Sequence, residues 1–475
     1  MKQFILLFLV ISLNAEASYK KLLNEYIKQN ITIQNAKTEL EIGRDGKDLL
    51  MSSLDTVLSA NTTFDDNNLD SPTVVNFSAG ETTSGTIVLA KKFSWGAELN
   101  FTNTLSNTVQ DPSRIQVFGG DPEVAQFTQT LEVTKSLWKD FWGRDFDLQL
   151  KLSNMGVEAA EKKLAFEKES GIKNFTESYI NVVFARELVL LQKQAVIRAK
   201  KRFNLIKKRV SDGLSLKVDQ YRAEMTLLTT QEQLEQAKQN LSAMMGNLSR
   251  LLHRPLDESE KFDSLESMPV NISEVSFDND LKNKQIDQLE SVVAQKRVEL
   301  AQAENQIAPD LNFVTTYQTN DFNAEMSETL SEGNLFGNRN SLTLALNFTW
   351  QLGQETARTQ ARSTKRLYNN LLNQLNKQKS NLQVTYEDLK RQLEYIQKNL
   401  ITSVVSLGLA EKSLNEYGKL YRLGKVTLDQ VIAGEEQLIL SQRRKLQYLV
   451  DKLKLHLAIL QTQGKIEEAL LEGHK

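Results

Sequence analysis

Ala223, Leu227, Thr230, Leu234, Ala237, Leu241, Met244, Leu248 and Leu251 recur at alternating steps of four and three residues. A seam with that rhythm lets one helix pack along another, which commits the segment to a coiled coil. Leu382, Tyr386, Leu389, Leu393, Ile396 and Leu400 repeat it, as do Leu446, Val450, Leu453, Leu457 and Leu460. Between the seams stand Gln, Asn, Lys, Glu and Ser, which suit a surface in water. The six prolines all fall between Pro72 and Pro309, with none from Glu123 to Arg254 or after Pro309. Proline removes a backbone donor and clashes with the preceding turn, so such tracts permit very long helices. At ~1.5 Å per residue, a stretch of about 70 residues reaches roughly 100 Å. No single compact domain needs a helix that long.

Each long helix is expected to break at a glycine, within Arg209-Val-Ser-Asp-Gly213-Leu-Ser and Tyr421-Arg-Leu-Gly424-Lys-Val. A lone glycine between heptad tracts is the ordinary C-cap of one helix with the next close behind. Ser215 and Thr427 are the candidate N-caps. The expected product is an antiparallel helical hairpin, made twice.

Other segments alternate with period two. Leu342, Leu344, Leu346, Phe348 and Trp350 alternate with Thr343, Ala345, Asn347 and Thr349, and Leu311–Tyr317 and Ala97–Phe101 behave similarly. Such alternation gives a strand one apolar and one polar face, in a soluble sandwich or a membrane barrel alike. All four tryptophans (Trp95, Trp138, Trp142, Trp350) lie in or beside these strands. Aromatic residues at strand ends suit the headgroup girdle of a barrel, which favours the membrane reading. The polar stretches Asp65–Gly85 and Asn103–Val124 read as surface loops. Residues 84–105 read as an extra hairpin that either widens the sheet or lies outside it; the second repeat has no counterpart. One chain offers too few strands to close a barrel, since even the smallest needs about eight. A membrane reading therefore requires several chains to share one.

Met1-Lys2, the apolar run Phe4–Leu13 and the small residues of Ala15-Glu16-Ala17 read as an export signal over 1–17. No other run approaches the ~18–20 apolar residues of a membrane helix. Cysteine is absent, which excludes disulfides, thiolate nucleophiles and cysteine-based zinc sites. The formal charge of −2 carries no broad footprint for nucleic acid. His253, His456 and His474 fall in no metal-ligand spacing, with His456 read as a helix-surface residue. No Walker loop, dinucleotide fingerprint or nucleophile elbow occurs, so no catalytic residue, metal or cofactor is expected. The chain divides into a signal peptide (1–17), a first repeat (18–253; strands within 52–138, hairpin 145–253) and an irregular connector (254–280). A second repeat (281–469; strands 309–351, hairpin 354–469) and a tail (470–475) follow.

Helix, strands and long helical hairpin, written twice behind an export signal, resemble the TolC family of outer-membrane efflux proteins. The most specific parts are the two turns, Phe203–Ala223 and Tyr417–Ala433, with Asp219 six residues after Gly213 and Asp429 five after Gly424. Ala308-Pro309-Asp310-Leu311 and Trp350-Gln-Leu-Gly353 are weaker echoes. The resemblance implies an α+β membrane protein with coiled-coil hairpins in two repeats and strands contributing to a shared trimeric transmembrane β-barrel. It implies a homotrimer in outer-membrane lipid, with helices in the periplasm, a periplasmic adaptor docking at the Gly213 and Gly424 turns, and an inner-membrane transporter. The function implied is the exit duct of a tripartite efflux or type I secretion system. It further implies that Tyr421 hydrogen-bonds Asp219 in the closed state and that Asp429 lines the constriction. The family's threonine–arginine gate contact falls on Val218 and Val426 and is lost. From the residues alone, Asp219 and Asp429 are equally readable as carboxylates at helix N-termini, and Tyr421 as a seam aromatic. A periplasmic coiled-coil scaffold with a soluble β domain and a partner-independent porin are the alternative functions.

Overall fold

A computed structural model describes residues 17–67, 80–110, 123–256, 260–268, 281–324, 326–332 and 339–472. Most of the export signal, the middles of both polar stretches, Pro269 with the connector's second half, and the last three residues lie outside the described residues. Helices α1 (Ala17–Gln29) and α2 (Ile31–Ser52) lead into strands β1 (Val57–Asn67), β2 (Gly80–Phe93), β3 (Ala97–Gln110) and β4 (Glu123–Ser136). Helices α3 (Arg144–Ser211) and α4 (Lys217–Leu251) follow. The second half runs α5 (Lys284–Asn305), β5 (Asp310–Asn323), α6 (Met326–Glu332), β6 (Asn340–Thr349), α7 (Glu355–Arg422) and α8 (Leu428–Thr462). Both hairpins pair a 68-residue helix with a 35-residue one. Among the described residues no helix is long and apolar enough to cross a membrane. The chain forms two compact units, Met1–Leu40 with Ala160–Glu290 and Gln374–Lys475, and Glu41–Ala159 with Ser291–Asn373.

In the second unit the six strands form one antiparallel sheet in the order β1-β2-β3-β4-β5-β6. Residues paired across neighbouring strands share a face, because side chains alternate along each strand. The register therefore puts Leu58, Leu89, Phe101, Leu131, Tyr317 and Leu342 in one cross-strand row. Ala60, Ile87, Leu99, Val133, Phe313, Leu344 and Leu346 lie on that same face. The opposite face carries Ser59, Thr86, Thr104, Thr128, Gln318 and Ser341, with hydroxyl pairs Thr82–Thr108 and Thr86–Thr104 each at 3.2 Å. The stretches read as loops are shorter than expected. Asp65–Asn67 and Gly80–Gly85 are strand, and so are Asn103–Gln110 and Glu123–Val124. Their polar side chains disguised the alternation. The 84–105 hairpin lies inside the sheet as β2 and β3, flanked by β1 and β4.

All four tryptophans collect at one end of the strands. Trp95 stands in the β2–β3 turn, Trp138 and Trp142 follow β4, and Trp350 follows β6, where Val57, Ser136, Asp310 and Thr349 also lie. Lys135 Nζ sits 4.6 Å from the Trp95 ring centre and 4.9 Å from that of Trp142. Gly96 closes the β2–β3 turn at φ +77°, and a Cβ there would stand 2.5 Å from the Asp140 carbonyl oxygen. Glycine alone meets both demands.

In the first unit, Tyr19, Leu23 and Tyr26 of α1 pack on Ile172, Phe175 and Tyr179 of α3, with Leu248 of α4 and Leu457 of α8 in the same core. The connector is tied in as well. Tyr179 Oη donates to Asp263 Oδ2 at 3.0 Å, and Leu265 and Met268 are buried. His456, expected on the surface, is 1% exposed. It stands beside the seam residue Leu457, and α8 is covered here on several sides, since Leu453, Ile459 and Leu460 are buried too.

Glu169 is 3% exposed on α3 and accepts a hydrogen bond from the Ile466 backbone N–H at 3.2 Å. Burial pushes its pKa up to about 7, against smaller opposing effects of that hydrogen bond and Lys284, while Glu467 and Asp287 push it further up. A carboxyl raised in the folded state favours folding below its unfolded pKa and opposes it as pH rises towards 7 and beyond. Glu169→Gln is therefore expected to leave the melting temperature near wild type at pH 5 and to raise it at pH 8. The gain in folding stability at pH 8 should approach roughly 3 kcal/mol, the size of the shift. A thermal-melting series from pH 5 to 8 checks this; equal effects at both ends would refute it.

Candidate functional site

The two hairpin turns meet at one end of the helical unit. After α3, Gly213 adopts φ +74°, and the Leu214 N–H donates back to the Arg209 carbonyl at 2.7 Å. After α7, Gly424 adopts φ +71°, and the Lys425 N–H donates to the Leu420 carbonyl at 2.9 Å. Each turn is thus a helix end closed by a left-handed residue, which satisfies carbonyls that would otherwise be orphaned. A Cβ at either glycine would meet nothing within 4 Å, so the left-handed backbone, and not crowding, selects glycine. Thr427 caps α8, with Gln430 accepting from its backbone N–H at 2.9 Å. Ser215 does not cap α4. Leu216 holds that position without a side-chain bond, because the helix begins one residue later than its serine suggests.

Both candidate carboxylates fall in the first turn of the helix they open, Asp219 in α4 and Asp429 in α8. The positive end of the helix dipole favours them there. With Tyr421, Arg209 and Arg222 they line one hollow of about 540 Å³ between the turns. Among the described residues no hydrogen bond joins Tyr421 to Asp219. The polar contacts between the hairpins are made instead by arginines. Arg222 Nη1 donates to Asp429 Oδ2 at 2.7 Å, both side chains being more than half open to solvent or nearly so, at 62% for Asp429 and 50% for Arg222. The Arg209 guanidinium lies 5.2 Å from the Tyr421 ring centre and donates to the Tyr421 carbonyl at 3.4 Å. Beneath them Ile206, Ala223 and Leu428 form a small buried plug, with Phe203, Val210, Tyr421 and Ile432 against it. Deeper still, Arg202 of α3 pairs with Glu435 of α8, at 7% and 14% exposure.

These arginines had a signal that sequence reasoning passed over. Ala195, Ala199, Arg202, Ile206 and Arg209 step by four, three, four and three, which puts two arginines on a heptad seam. Leu428, Val431, Glu435 and Leu438 step by three, four and three on the facing helix. A charge on a seam is costly unless a partner faces it.

A search of solved structures finds this architecture repeatedly. The Vibrio cholerae outer membrane protein VceC aligns over 94% of this chain and 95% of its own, with 14% identity and a TM-score of 0.67. The outer-membrane channel OprN aligns over 94% and 89%, with 15% identity and a TM-score of 0.68. The Campylobacter jejuni CmeC outer membrane channel aligns over 94% and 86%, with 14% identity and a TM-score of 0.65. The chain has the fold of an outer-membrane channel. The likeness covers 94% of the chain, in keeping with the resemblance carried by the Gly213 and Gly424 turns. No protein-family model matches the sequence, and a search of curated proteins finds no match. Within the channel fold, Trp95, Trp138, Trp142 and Trp350 form a rim at one end of the strands, while Asp219, Tyr421 and Asp429 gather at the hairpin turns of the helical unit.

Proposed function

We propose that three copies of this chain form an exit duct in the outer membrane. Its strands lie in the lipid and its helices in the periplasm, and a periplasmic adaptor and an inner-membrane transporter engage the hairpin turns to open it. The observation that carries this reading is the sheet. It has one face apolar across all six strands and one polar face, and among the described residues the outer edges of β1 and β6 have no strand beside them. Unpaired strand edges cannot face hydrocarbon, so a sheet of this kind enters a bilayer only when further copies close it. The fold shared with VceC, OprN and CmeC supports the same reading, since VceC is an outer membrane protein and OprN and CmeC are outer-membrane channels. Trp95, Trp138, Trp142 and Trp350 then form the headgroup girdle at the periplasmic end.

The resting duct is held shut where the second hairpin rests on the first. Asp429 is held by Arg222, and Tyr421 by Arg209, with Asp219 beside them in the same hollow. Each contact is weak, about 0.2–1 kcal/mol for an exposed ion pair or cation–π contact. Weakness suits a closure that a partner must undo. The test is conductance of the purified protein in planar bilayers. Arg209→Ala with Arg222→Ala is expected to raise the open probability on the order of tenfold, the effect of about 1.4 kcal/mol. Tyr421→Phe should change little, because the ring face and the carbonyl that Arg209 uses both survive. A double variant as closed as the wild type would remove this latch. A protein that extracts from cells as a monomer without detergent would remove the duct.

A further inference from the structure

We infer that the barrel of this duct has eighteen strands, six from each of three copies, and that the β2–β3 hairpin is part of its wall. The inference rests on the duct reading and adds the size of its membrane pore.

The hairpin carries every mark of a wall element. β2 and β3 are 14 residues long, as are β4 and β5, and ~9–11 tilted residues suffice to cross a bilayer. β2 pairs with β1 from Val57 to Asn67, and β3 pairs with β4 from Ala97 to Val109, so no strand is left for β1 to meet β4 directly. The face pattern is unbroken through the insertion. Ile87, Leu89, Leu99 and Phe101 continue the apolar band between Leu58 and Leu131, while Thr86, Val88, Thr102 and Thr104 continue the opposite face, polar but for Val88. A hairpin lying in water outside the barrel has no reason to keep an apolar band in step with its neighbours. Its turn is anchored as well, since Lys135 donates to the Trp95 carbonyl and the Gly96 backbone fits against Asp140.

Parity decides how copies join. With six antiparallel strands, β1 and β6 run in opposite directions, so β6 of one copy meets β1 of the next antiparallel and the seam continues the same ladder. Val57 and Thr349 lie at the same end of the sheet, which lets the two edges overlap along their length. Leu58, Ala60 and Phe64 on one edge and Leu342, Leu344 and Leu346 on the other keep the apolar band continuous across the seam. Three such sheets close eighteen strands. At ~4.8 Å between strands and a tilt of ~40°, the wall is about 36 Å across between backbones, against about 24 Å for twelve strands. The wider wall more than doubles the cross-section available to a cargo at membrane level.

Electron cryomicroscopy of the mature protein in lipid nanodiscs tests this directly. The expected map is threefold and shows eighteen strands, with residues 80–110 in the wall. A threefold map with twelve strands and that hairpin outside would overturn the inference and leave the duct intact. A particle without any shared barrel would overturn the duct itself. Thiol labelling gives a second readout, because the chain has no cysteine of its own. In proteoliposomes Thr102→Cys is expected to react with a membrane-impermeant maleimide at least tenfold faster than Phe101→Cys. Equal rates would put β3 in water on both faces and overturn the inference.

Discussion

Leu344→Arg is expected to remove the protein from the membrane, whereas Thr343→Arg one residue away leaves it there. Leu344 lies on the apolar face of β6, opposite Thr315, and Thr343 lies on the polar face, opposite Thr316. An arginine on the lipid face costs about 2–4 kcal/mol near the bilayer midplane, while a lumen position keeps its charge in water. Threefold symmetry repeats the lipid-face cost in every copy. That sum rivals the whole stability of an ordinary domain, roughly 5–15 kcal/mol. Membrane fractionation followed by electrophoresis of unheated trimers reads the result. If both variants insert equally, or if Thr343→Arg is the one that fails, the assignment of lipid and lumen faces is wrong.

The second large effect lies in the helical unit. Glu435→Leu leaves the Arg202 guanidinium buried without a counter-charge. Removing one partner of a buried pair costs about 3–5 kcal/mol, because the remaining charge cannot recover its hydration. A corresponding drop in the denaturant midpoint is expected. Arg202→Met combined with Glu435→Leu should restore most of the loss or exceed the wild type, since an apolar pair of similar volume needs no desolvated charge. A single variant as stable as the wild type would mean that water reaches the pair. The exposed pair Arg222–Asp429 serves as the comparison, and its removal should cost less than about 1 kcal/mol of stability.

How much of this was legible beforehand follows from the range over which each determinant acts. The 4-3 spacing of Ala223 to Leu251 states its helix without help from the rest of the chain, and Gly213 and Gly424 state their turns because their left-handed backbone is a local demand. The Leu342–Trp350 alternation states a two-faced strand for the same reason. Asn103–Gln110 was misread because Asn, Thr and Ser on both faces carry no period, and strand pairing rescued what its sequence hid. His456 was misread because a heptad reports one partner, while α8 has several. At the hairpin turns, Asp219, Tyr421 and Asp429 line one hollow, and the sequence does not say which side chains make the polar contacts across it. Arg209 and Arg222 make those contacts; Arg209 left a trace in the heptad spacing of its own helix, whereas the exposed Arg222 stands off the seam and left none.

By itself, then, the sequence determined the elements whose causes lie within a few residues: the long helices, their glycine turns, and strands with one greasy side. Only the tertiary structure decided that residues 80–110 join the sheet between β1 and β4, and that Arg202 meets Glu435. The physical reason is the same in both cases. Strand neighbours and buried charge partners are chosen by contacts between segments far apart along the chain, and those contacts exist only once the chain has folded.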